Sequence, residues 1–143
     1  MARDLHSLIR LHEWRVEEHR RKLGDLLRFL HDLENRAKLL EAEIVHEQNV
    51  AQSSPEEAGR GYGQYAEAAI DRRHRLAESI AQSQDEVVAA REELNKAYRE
   101  LRKFELAQAS RDKREALEEL RREQAVLDEV GMRTHMRKRR QKV

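Results

Sequence analysis

Cysteine is absent, and proline occurs once, at position 55. The first absence excludes a disulfide framework and thiolate chemistry, and it suits a reducing compartment. The second leaves long stretches on either side of Pro55 without a helix breaker. Aromatic residues make up only 4% of the chain and charged residues 40%. That leaves too little apolar bulk for a globular core, so burial must be confined to a stripe. No apolar run approaches the roughly 18 residues a membrane span requires. Met1-Ala2-Arg3-Asp4 leads straight into amphipathic sequence rather than a secretory signal, so a soluble, cytoplasmic protein is expected.

An excess of one charge is also missing, since 29 Lys and Arg face 28 Asp and Glu for a formal net charge of +1. The average conceals a split. Residues 132–143 carry Arg133, Arg137, Lys138, Arg139, Arg140 and Lys142 with no acid, a balance of +6, which leaves −5 on the rest.

What is present is a seam. Ile9, Val16, Leu23, Leu30, Ala37, Ile44 and Ala51 recur at one heptad position, with Leu5, His12, His19, Leu26, Leu33, Leu40 and Glu47 at the other. A spacing averaging 3.5 residues keeps one narrow face of a long helix turned toward a partner helix. Asp4 is placed to cap this first helix, and Glu17/Arg21, Glu18/Lys22 and Glu34/Lys38 lace its outer face at i,i+4. Trp14 lies off both seam positions, so it either packs along the flank of the pair or is exposed for a partner, and the flank is favoured.

The seam lapses between Gln48 and Ser53, and Ser54-Pro55-Glu56-Glu57 reads as a capping box with proline at the first helical position. Gly59-Arg60-Gly61-Tyr62-Gly63 predicts a flexible hairpin loop; its spacing matches no phosphate-binding pattern, and no strand precedes it. A second seam follows, with Tyr62, Ala69, Leu76, Ser83, Ala90, Ala97 and Phe104 at one position and Ala66, Arg73, Ile80, Val87, Leu94 and Leu101 at the other. The expected fold is therefore all-α, two long helices in an antiparallel coiled-coil hairpin. Helix one spans about 4–52, a loop 53–63, helix two about 64–130, and a basic tail 131–143 follows Gly131 as the helix stop. A turn near residue 57 pairs positions whose numbers add to about 114, so helix two overhangs helix one beyond about Ala109. The apolar residues of that arm, Leu117, Leu120, Val126, Leu127 and Val130, fall out of phase with the seam below them.

Seven histidines raise a metal hypothesis, but His12 and His19 stand about 10 Å apart along a helix, and Glu43-x-x-His46 lacks matching motifs on further helices. No nucleophile, base and orienter form a set, and a two-helix coil encloses no pocket, so neither an enzyme nor a cofactor is expected. Polar seam residues such as His12, His19, Arg73 and Ser83 are read as register devices. The basic tail follows the coil instead of preceding it as in a basic zipper, which favours docking to a protein or membrane surface over nucleic acid.

Three stretches carry a family resemblance: Gly61-Tyr62-Gly63-Gln64-Tyr65-Ala66-Glu67-Ala68-Ala69, Glu100-Leu101-Arg102-Lys103-Phe104-Glu105-Leu106, and Glu123-Gln124-Ala125-Val126-Leu127-Asp128-Glu129-Val130-Gly131. Together with length, hairpin position and overhang, they make the chain resemble the flagellar export protein FliJ family, in its alphaproteobacterial form. That resemblance implies a non-enzymatic component of the flagellar type III export apparatus, serving protein transport, flagellum biogenesis and motility, and similar in shape to the rotary ATPase gamma-subunit coiled coil. It implies insertion into the hexameric ring of the export ATPase FliI, contact with the gate protein FlhA, and dealings with FliH and substrate chaperones. The location implied is the cytoplasmic face of the inner membrane. Tyr62, Tyr65, Ala69 and Arg72 would be the gate-facing residues. Leu117, Leu120, Leu127, Arg137, Lys138, Arg139 and Arg140 would meet the ATPase ring. The chain departs from other members in carrying Ala69 and Arg72-Arg73 where they have larger apolar side chains. Rival readings are a generic or homodimeric coiled-coil scaffold, a non-flagellar type III secretion stalk, and a basic-tailed nucleic-acid binder.

Overall fold

A computed structural model of the chain describes residues 5–53 and 55–141, the side chains of 55–60 excepted. It is all-α among those residues, with α1 at His6–Ser53 and α2 at Pro55–Gln141 packed against each other as a helical hairpin. The two proposed caps, Asp4 and Ser54, lie outside the described residues.

Two expected boundaries are corrected. The loop over 53–63 is not there in that form, because α2 starts at Pro55 and runs through Gly61 and Gly63 without a left-handed glycine. Nor does Gly131 end the helix, which continues to Gln141 and takes up most of the presumed tail. Helical glycine costs only about 1 kcal/mol relative to alanine, and propagation of the helix from the turns on either side offsets it.

Contacts group the chain into two units, Glu13–Tyr98 in one and Met1–His12 with Arg99–Val143 in the other. In the first, the seam is the core. Val16, Leu33, Leu40, Ile44, Ala69, Val87 and Ala90 are buried, and Leu40, Ile44 and Ala69 form a cluster against which Tyr65 and Leu76 pack. Alanines at these positions let the helices approach closely while leucine and isoleucine fill the layer between them. Ser83, only 2% exposed, is buried with its hydroxyl unpartnered. Arg73 is the seam residue that escapes burial. Its Nε and Nη2 each donate to Glu41 carboxylate oxygens at 2.6 Å, and the positions of this pair add to the expected 114. On the flank, the Arg20 guanidinium lies 5.6 Å from the Tyr98 ring centroid.

In the second unit, His12 takes a buried seam position and stacks on Phe104 at 4.6 Å and 23°. Gln108 accepts from the Leu5 N-H at 3.0 Å through Oε1 and donates to Asp112 Oδ1 at 2.9 Å through Nε2. A side chain 103 positions away thus serves one of the free N-H groups at the start of α1. Beyond Arg111, α2 has no cover: residues 112–141 are exposed throughout. Local pairs support the helix there, including Arg122 with Glu118 at 4.0 Å and Arg133 with Glu129 at 2.9 Å. On α1 the outer-face acids pair at i,i+3 rather than the expected i,i+4, Glu17 with Arg20 and Glu18 with Arg21.

Candidate functional site

The exposed arm of α2 carries one set of sequence-predicted residues. Leu117, Leu120 and Leu127 are all exposed, as are Arg137, Lys138, Arg139 and Arg140. Leu101, Phe104, Glu105, Gln108 and Arg111 are the half-buried residues of α2 within this unit, and Phe104 and Gln108 contact α1. At about 100° per residue the three leucines lie roughly 140–160° round the axis from Phe104. Leu106, also exposed, already belongs to their side. The arm therefore presents its leucines on nearly the opposite face of α2 from the one used for intramolecular packing. Lys138, Arg139 and Arg140 sit in the last described turn, where cations complement the negative end of the helix dipole.

The second predicted set lies at the start of α2 in the other unit. Tyr62 and Tyr65 are half-buried, their ring centroids 6.4 Å apart. The Tyr65 hydroxyl is covered without a hydrogen bond, and burial first, then the Glu43 and Glu47 carboxylates, raise its pKa above the usual 10.0. Arg72 is exposed and reaches Glu43 at 3.7 Å. Ala69 is brought together with these residues but not to the surface: at 4% exposure it packs with Leu40 and Ile44 and supports the face from beneath.

Sequence reasoning missed other exposed groups. Trp14 is 60% exposed, on the outside of α1 and not the flank, a position legible from its place opposite both seam positions. Leu39 is 70% exposed, beside Arg36 on α1 and near Arg72 and Arg75 on α2. No single-helix pattern marks that group, because it is assembled across the pair.

Nothing among the described residues joins three or more metal-ligating side chains, and no described helix is long and apolar enough to cross a membrane. The chemistry on offer is that of recognition, with leucines, arginines and carboxylates displayed on helix faces.

These features define an antiparallel two-helix coiled coil with apolar and basic side chains exposed on its helix faces. The chain belongs to the flagellar FliJ protein family, whose model matches residues 1–140. No curated protein and no solved structure matches it. Membership implies a role related to flagellar export, as a component without catalysis of its own.

Proposed function

We propose that the chain is a stalk-like activator of the flagellar export ATPase ring, linking FliI to the gate protein FlhA and to substrate chaperones at the cytoplasmic face of the inner membrane, with FliH in the same assembly. The observation that carries this reading is the uncovered arm of α2, with Leu117, Leu120 and Leu127 turned away from the coil seam. An apolar stripe that its own molecule cannot bury lowers its free energy by docking on another surface. A single helix is slender enough to enter the centre of a ring, and the arginines and lysine near its end would pair with any carboxylates lining it. The opposite function, toward the gate, falls to Tyr62, Tyr65 and Arg72, with Ala69 as their support.

The experiment is the ATPase rate and hexamer formation of the cognate export ATPase, alone, with the full chain, and with a chain ending at Gln108. Stimulation and assembly by the full chain only supports the reading and assigns it to the arm. No effect from either chain overturns it, and equal effects from both move the active surface off the arm.

A further inference from the structure

The groove between α1 and α2 around Leu39 is lined by Arg36, Leu40, Glu43, Arg72, Arg75 and Leu76, all within the Glu13–Tyr98 unit, and has a volume of about 370 Å³. Its floor is the core itself, since Leu40 is buried and Leu76 packs against the Leu40, Ile44 and Ala69 cluster. Its charge is unbalanced. Arg72 is occupied by Glu43, while Arg36 and Arg75 have no carboxylate partner among the described residues.

Leu39 does not stand alone. Phe29, Asp32, Arg36, Leu39 and Glu43 follow one another at spacings of three and four, so they form one outward stripe of α1. Phe29 is 53% exposed, and it sits about 15 Å along the axis from Leu39, with Arg36 between the two. Asp32, four residues before Arg36, is the acid of this stripe between Phe29 and Leu39. The pattern of two apolar anchors bracketing an unneutralised guanidinium, with a second guanidinium across the groove, is what a helix lying along α1 would read.

We infer that this groove docks an acidic amphipathic helix of a partner protein, its apolar residues covering Phe29 and Leu39 and its carboxylates pairing with Arg36 and Arg75. Charge complementarity selects the partner. Guanidiniums accept carboxylates in paired, planar geometry, whereas a basic helix would bring like charges onto Arg36 and Arg75. The inference goes beyond the export reading, shares only Arg72 with the gate-facing residues, and does not depend on the ATPase ring.

The test is fluorescence anisotropy with two labelled peptides and the full chain. One is an amphipathic helix with leucines at the Phe29-to-Leu39 spacing and glutamates beside them; the other has lysines in place of the glutamates. The acidic peptide should bind at least about tenfold more tightly at low salt. Arg36→Glu with Arg75→Glu should remove roughly tenfold or more of that affinity, and Leu39→Ala should weaken it severalfold. All three positions are exposed, and circular dichroism checks that the variants stay helical. Arg137→Glu with Arg139→Glu should leave binding unchanged. Equal affinity for both peptides, indifference to Leu39→Ala, or loss only with the Arg137 and Arg139 changes would overturn the inference. So would a dimer in sedimentation that Arg36→Glu disperses, which would give the groove to a second copy of the chain. Because no ATPase takes part, failure here is distinct from failure of the export reading.

Discussion

Arg73 occupies a seam position and yet reaches out of the seam to grip both carboxylate oxygens of Glu41. Hydrogen bonding from Arg73 holds the Glu41 carboxyl below its ordinary 4.5, against a smaller opposing effect of burial. A folded-state pKa below the unfolded one contributes stability that is complete above about pH 4.5 and disappears as pH falls through the lowered value. Glu41→Gln should therefore lower the melting temperature slightly at neutral pH, and the gap from the parent should close below about pH 4.5. Because both groups are half exposed, the effect should shrink in high salt. A gap that widens in acid would contradict this role for the pair.

Ser83 is the reverse case, a polar group inside the seam with nothing to bond. An orphaned buried hydroxyl costs about 1–3 kcal/mol, and removing it leaves a void little larger than one oxygen atom. Ser83→Ala should be neutral or stabilising by up to about 1 kcal/mol, measured as the urea midpoint at unchanged slope. Clear destabilisation would mean that the hydroxyl has a partner, such as an ordered water.

Helical glycines with open space around them are ready sites for stabilisation. A Cβ at Gly61 or Gly63 would meet nothing within 4 Å, and neither has a positive φ. Gly61→Ala and Gly63→Ala should each raise stability by roughly 0.5–1 kcal/mol in thermal or urea unfolding. If this stretch worked as a loop, the same changes would be neutral or harmful.

Trp14 offers a spectroscopic check on α1. With most of its surface in water, it should emit near the wavelength of free tryptophan and be quenched readily by acrylamide and iodide. Blue-shifted, protected emission would put the indole under cover that α2 does not supply.

The seam was legible because a 3.5-residue period leaves little freedom. Every residue assigned to it on α1 is buried or half-buried, and on α2 only Arg73 is not. The pairing register was legible too, since Glu41 and Arg73 meet where a turn near residue 57 requires. The boundaries were not. Gly59, Gly61 and Gly63 read as a loop because local propensity says nothing of how strongly the neighbouring turns propagate the helix. Ala69 shows another limit: the family resemblance makes it a partner contact, while its place in the heptad assigns it to the core, where it is buried. The Leu39 groove could not be read from either helix alone, because Arg36 and Arg75 become neighbours only once the antiparallel pairing is fixed.

The unbroken run of α2 through Gly131 makes its final cations a patterned surface and not a loose cluster. Arg133, Arg137, Lys138, Arg139 and Arg140 are each fixed at an angle about the helix axis relative to Leu127. A single alanine inserted at Gly131 would preserve the charge and the helix, yet turn every one of those cations by about 100°. Any partner that reads leucines and arginines together would then meet the correct chemistry facing the wrong way.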